Sequence, residues 1–240
     1  MDIIKGIKYN FLGLSYGLQN RKLLFWGILR FFVVILIGLV FTIIIFSSYQ
    51  ETISLIWARP ESKWLVILWH IASWIMALFL MGISAIFSYL ISQLLFSVVI
   101  MDIMSRITEL NITHEIKEPQ KVNIWNLFIY LIKQEIPRTI IPILISVLLI
   151  ILGLVVPLGS ILAFISTCLA IIFLAWDNTD VIPARRLEPF KSRFAYLIKT
   201  IPFHLGFGLP FLIPVLNILF LSFAPVGATL YYLDKESGKI

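Results

Sequence analysis

Two stretches of 38 residues each, 64–101 and 139–176, contain no Lys, Arg, Asp or Glu. Two further uncharged stretches cover residues 31–49 and 201–233 of the 240-residue chain. No water-soluble globule of this size can hide that much apolar surface, because its exterior must suit its solvent. The composition agrees: 60% of residues are hydrophobic and 13% charged, against roughly 45–50% and about 25% in ordinary soluble domains. The chain therefore reads as an all-α integral membrane protein, a single membrane domain over 1–240.

The stretch lengths suggest how the bilayer is used. The first span, 24–49, supplies close to the ~20 apolar residues that cross a ~30 Å hydrocarbon core. The second, 64–101, would be about 57 Å long as one helix, so it is expected to cross once and continue past the interface, with a kink near Gly82. The third, 139–176, is interrupted by Val156-Pro157-Leu158-Gly159-Ser160. Its turn carries no charge, which predicts a hairpin of two short helices that enters and returns. The fourth, 201–233, repeats that design with Gly206, Gly208, Pro210, Pro214 and Pro225. A plain six-helix bundle with tight uncharged turns is the competing architecture. Irregular backbone at membrane depth persists only when buried in protein or lining a wet cavity, so the hairpins are the expected seat of function.

Lys and Arg number five in residues 1–30, two in 50–63, five in 102–138, five in 177–200 and two in the tail. By the positive-inside rule this puts both termini in the cytoplasm and 50–63 outside. In residues 1–20, Ile3, Ile7, Phe11, Leu14 and Leu18 recur at helical spacing, which predicts an amphipathic helix lying in the interface.

Composition also excludes classes. The 19 Phe, 8 Tyr and 7 Trp argue against disorder, and a single cysteine, Cys168, against a disulfide scaffold. The net charge of +6 flanks apolar spans, which suits membrane orientation rather than nucleic acid. The first 30 residues lack the apolar core of a cleavable signal. His70, His114 and His204 lack metal-ligand spacing, and no nucleophile elbow, Walker loop or zincin motif occurs, so no enzyme, cofactor or metal is expected. The carboxylate pairs Asp177/Asp180 and Glu115/Glu118 are expected in solvated connections.

Arg30 stands at the head of the first span. If a helix began near Gly27, the N–H groups of Gly27, Ile28 and Leu29, the helix dipole and the guanidinium would form an anion-binding nest. An arginine at such a position also serves simply as a topology anchor.

Gly27-Ile28-Leu29-Arg30-Phe31 resembles the Pro-Gly-(Leu/Ile)-Arg-Arg-Phe motif of the CysZ sulfate-permease family, which belongs with the etoposide-induced membrane proteins. Trp26 replaces the motif's Pro, and Leu29 its first Arg. The C-terminal resemblance is more specific: Leu205-Gly206-Phe207-Gly208, Ile213-Pro214-Val215-Leu216-Asn217 and Ala224-Pro225-Val226-Gly227-Ala228-Thr229-Leu230. Lys133, Glu135, Val156-Pro157-Leu158-Gly159 and Trp176-Asp177 add to it, whereas Leu95 falls where the family commonly has Pro.

The resemblance implies an oligomeric bacterial inner-membrane protein that moves sulfate inward for cysteine synthesis. It implies two long transmembrane helices and two hemi-penetrating hairpins. Carried over to this chain, the anion site comprises Gly27, Ile28, Leu29 (backbone only) and Arg30. Ser160, His204 and Asn217 are candidates to line a path, and Asp102 and Glu135 to shape its inner mouth. Losing the Pro removes a residue that pre-sets a helix start. The expected partners are an oxyanion, lipid and further copies of the chain. The alternative is a non-transporting scaffold or lipid-interacting protein with the same fold.

Overall fold

The computed structural model describes residues 2–47, 53, 60–92, 98–117, 124–155, 159–214 and 216–239. Among them the regular elements are all helical. In chain order they are α1 (Asp2–Gln19), α2 (Arg21–Ser47), α3 (Lys63–Ser92), α4 (Val98–Thr113), α5 (Ile124–Val155), α6 (Gly159–Thr179), α7 (Val181–Arg185), α8 (Phe190–Lys199), α9 (Ile201–Gly208) and α10 (Leu216–Glu236). A 3-10 turn, Leu209–Leu212, follows α9. Among the described residues, five helical segments are long and apolar enough to cross a membrane: Arg21–Ser47, Trp64–Ala85, Ile136–Gly153, Gly159–Thr179 and Leu216–Glu236. The chain is an all-α membrane protein.

Its contacts divide it into two units, residues 1–30 with 97–240, and residues 31–96. The smaller unit holds the apolar part of α2, and α3. These expose large apolar side chains such as Ile43, Trp74 and Leu78, as lipid-facing helices do. Helix α3 runs unbroken through Gly82. Leu95 lies outside the described residues.

In the larger unit the third stretch forms longer arms than the sequence suggests. Helix α5 begins at Ile124, well before the uncharged run, and has 32 residues. It continues through Pro137 and Pro142, each of which removes one ladder donor. Helix α6 has 21 residues, about 31 Å. The turn at 156–158 lies outside the described residues. The first arm of the fourth stretch is short. Helix α9 has 8 residues, about 12 Å, and with its 3-10 turn it falls well short of a bilayer. Ile213 is extended (φ −78°, ψ 111°), which ends this arm before α10 begins.

Helix α1 packs through a face that hydrophobic periodicity does not reveal. Gly6, Tyr9, Asn10, Gly13 and Gly17 are its buried residues, whereas Ile3, Phe11 and Leu18 remain 40–49% exposed. Ile3, Phe11 and Leu18 of the expected apolar stripe thus face outward, Leu14 packs against two buried clusters, and a small-residue stripe forms the inner face. The contact is backbone on backbone. A Cβ on Gly6 would fall on the Phe203 carbonyl oxygen, and one on Gly206 on the Ile3 carbonyl oxygen. Gly13 and Gly227 oppose each other in the same way. Small residues let helices approach this closely, and close approach maximises dispersion contact where lipid removes the hydrophobic driving force. The interface is pinned by Tyr9, whose hydroxyl donates to Asp234 Oδ2 at 2.8 Å, and by Asn10, which donates to the Phe207 carbonyl.

Around it Tyr9, Phe203, Phe207, Phe211, Phe220 and Ala224 form one buried cluster. Leu23, Ile100, Met104, Phe223 and Val226 form a second. A third, Ile172, Trp176 and Leu197, seats α8 on the end of α6.

Gly206→Val should lower the unfolding midpoint of the detergent-solubilised protein by about 4–10 °C, since its side chain lands on backbone that cannot yield. Gly153 has no atom within 4 Å of an added Cβ, so Gly153→Ala should leave the midpoint unchanged or slightly raised in the same thermal scan.

Candidate functional site

The local fold around Arg30 is set ten residues earlier. Asn20 sits between α1 and α2, and its Oδ1 accepts from the backbone N–H of Lys22 (3.0 Å) and Leu23 (3.3 Å), the geometry of an Asn N-cap. Helix α2 therefore starts at Arg21, not near Gly27. The amides of Gly27, Ile28 and Leu29 lie inside the helical ladder and bond to carbonyls one turn back. The backbone nest expected there does not form, because the cap at Asn20 starts the helix first. Gly27 instead serves packing: a Cβ there would come within 2.8 Å of the Phe223 ring. Ile28 is exposed, and Leu29 packs beside the Leu23–Phe223 cluster.

Arg30 is 8% exposed. Its Nη1 donates to the Leu221 carbonyl of α10 at 2.7 Å and to Asn178 Oδ1 of α6 at 3.3 Å. Asn178 is itself oriented by donating from Nδ2 to the Leu174 carbonyl at 2.8 Å. One guanidinium thus ties the start of α2 to α6 and α10.

Two ionic clusters lie in the same unit. In the first, Arg138 Nε stands 3.0 Å from Asp177 Oδ1 and Arg138 Nη1 stands 3.4 Å from Asp180 Oδ2, while Arg193 also pairs with Asp180. All four residues are buried. This corrects the expectation that Asp177 and Asp180 sit in a solvated connection. Asp177 lies in the last turn of α6 and Asp180 directly follows that helix, and arginines from α5 and α8 close over them. Burial pushes the Asp180 carboxyl up to about 6, against the opposing pull of Arg138 and Arg193. At neutral pH it remains ionised.

The second cluster joins α4, α7 and α10. Asp102 Oδ2 accepts from Arg106 Nε at 2.7 Å, one turn along α4, and its Oδ1 faces Arg185 Nη1 at 3.1 Å. Arg185 is wholly buried and also pairs with Glu109. Arg186 bridges Glu109 (3.0 Å) and Glu236 (3.3 Å), and Glu236 binds Lys117 at 2.8 Å. Thr229 donates to Ser105 Oγ at 2.9 Å within the same layer.

The remaining candidates are dispersed. His204 is fully buried. Its Nε2 is 2.9 Å from Thr179 Oγ1 and its Nδ1 is 2.9 Å from the Thr200 carbonyl, so the ring braces α9 against the end of α6. Ser160 is exposed at the opening of α6, and Asn217 is half-buried in the first turn of α10. Glu135 lies on α5, with its side chain outside the described residues, as is that of Glu118. Among the described residues no cluster of His, Cys, Asp or Glu could hold a metal.

The structure therefore brings together Arg30, Asn178 and the Leu221 carbonyl, and separately Asp102 with Arg185. Sequence reasoning missed Arg138, Arg185, Arg193 and Glu109. Their signal was faint: Arg138 precedes an uncharged run and Asp177 follows one, but nothing in the spacing reveals that they meet.

Comparison with known families gives one match, to the model described as sulfate transporter CysZ/etoposide-induced protein 2.4, over residues 9–222. No curated protein matches the chain. The matched region includes Arg30, both ionic clusters except Lys117's partner Glu236, and Gly206 of the α1–α9 contact, but not Gly6. The chain belongs to the sulfate transporter CysZ/etoposide-induced protein 2.4 family.

Proposed function

We propose that the chain is a permease for sulfate or a related oxyanion in a bacterial inner membrane, moving it inward to supply cysteine synthesis. In this reading both termini are cytoplasmic and the working unit is a homo-oligomer. The observation that carries it is the buried Arg30 guanidinium, set against α6 and α10. A planar, permanently charged fork suits a tetrahedral oxyanion, and in a low-dielectric site its attraction is screened far less than in water. The contacts to Asn178 and Leu221 hold the group in place, so little side-chain entropy is lost on binding. Since α2 starts at Arg21, recognition falls to this side chain rather than to the amides of Gly27, Ile28 and Leu29. Asp102 and Glu135 would tune the inner mouth, and Ser160, His204 and Asn217 would lie along the path.

The scaffold reading has an observation of its own: Arg30 is bonded to a backbone carbonyl, as a structural tie would be. Ligand protection separates the two. A molecule that binds only the folded state stabilises it by about 2.7 kcal/mol at a hundredfold excess over its Kd. Sulfate should therefore raise the unfolding midpoint of a permease by several degrees, whereas chloride at equal ionic strength should not. A scaffold would show no difference between the two salts.

Proteoliposomes containing the protein should take up labelled sulfate, and Arg30→Ala should remove most of that flux, at least tenfold if one charge-assisted contact is lost. Unchanged flux in a folded Arg30→Ala protein would remove Arg30 from the pathway.

A further inference from the structure

Away from Arg30, a cavity of about 490 Å3 opens between the ends of α6 and α10, with α7 and α8 closing its sides. That volume lies in the range of small-ligand sites. Its polar lining includes the buried Asp180–Arg193 pair, which neutralises itself. The wall is aromatic: Tyr196 and Tyr231 join their hydroxyls at 3.0 Å, and Tyr232 donates to Glu188 at 3.3 Å.

Two lysines complete the lining, Lys199 at the end of α8 and Lys235 at the end of α10. Lys235 Nζ lies 3.9 Å from the centre of the Tyr196 ring. Neither lysine has a carboxylate partner among the described residues. Counting Asp180, Glu188, Arg193, Lys199 and Lys235, the lining carries one net positive charge.

The position of this cavity adds to its chemistry. Helices α6 and α10 are both long and apolar enough to span, and both end here, at Thr179 and Glu236. As spans, both helices would leave the hydrocarbon layer at the level of this cavity, where Trp and Tyr belts meet headgroups. Basic pockets between spanning helices at that level suit anionic lipid headgroups.

We propose that this cavity binds the phosphate-bearing headgroup of an anionic lipid, with Lys199 and Lys235 on the phosphate and the tyrosines against its glycerol. The site is independent of Arg30 and of which anion is transported. A soluble phosphate ester offers the same phosphoryl group, and the experiment separates the two sources.

The purified full chain in a neutral detergent is titrated with phosphatidylglycerol or phosphatidylcholine while the unfolding midpoint is followed. Phosphatidylglycerol should raise the midpoint more than phosphatidylcholine does. Lys199→Gln with Lys235→Gln should demand about 25-fold more of the anionic lipid for half the effect, about fivefold per lysine. Both side chains are exposed, so the variant should fold. Lys191→Gln, on the exposed part of α8 outside the lining, should behave as the parent. Equal response to both lipids, or an unchanged titration in the double variant, would overturn the site. Stabilisation by glycerol phosphate without any response to lipid would overturn the lipid as its occupant.

Discussion

Charge neutralisation in a low-dielectric interior organises the larger unit. Taking an ion out of water costs several kcal/mol even after relaxation, so a buried charge persists only with a partner and well-placed hydrogen bonds. Arg185, wholly buried, meets Asp102 and Glu109 from α4. Arg138 and Arg193 reach the two carboxylates at the end of α6 from opposite neighbours in sequence. Removing one member of such a pair typically costs about 3–5 kcal/mol, because the survivor is left unpaired. That asymmetry, rather than any large net gain, fixes how α4, α5, α7 and α8 meet at the polar ends of α6 and α10.

Where the charges stop, shape takes over. Between α1, α9 and α10 the close approach comes from glycine set against glycine, carbonyl or the Phe223 ring. The two devices cooperate at Tyr9, whose ring belongs to the apolar cluster and whose hydroxyl reaches Asp234 on the last turns of α10. The stacked pair of Phe203 and Tyr231, 3.9 Å apart, lies directly beside it. One aromatic layer thus links the glycine interface to the cavity wall, so that the seat of α1 and the cavity between α6 and α10 share side chains.

The sequence displayed the membrane class, the helical content and the breaks near Pro210 and Pro214, because each follows from local composition and backbone chemistry. It did not display which face of α1 is inward. Apolar periodicity identifies the inner face when water is the alternative; in lipid the apolar face can point outward, and the informative residues are the small ones. Gly6, Gly13 and Gly17 were that signal. The ionic clusters were illegible for another reason: Arg138 and Asp180 are 42 residues apart and Asp102 and Arg185 are 83 apart. Only the folded chain puts them together. The length of α5 was hidden by Lys133, Glu135 and Arg138, which close an uncharged run without ending a helix.

Around Arg30 the cap at Asn20 decides which groups of the segment stay available. A proline at position 26 would favour a helix start there and leave the next amides directed outward. This chain has Trp26, and Asn20 caps the helix two turns earlier. With the helix starting at Arg21, Gly17 of α1 and Gly27 of α2 both close on the Phe223 ring. Phe223 lies two residues from Leu221, whose carbonyl holds Arg30. The amides of Gly27, Ile28 and Leu29 are thus spent in the ladder of α2, and the donor left at this place is the guanidinium that the Leu221 carbonyl and Asn178 hold.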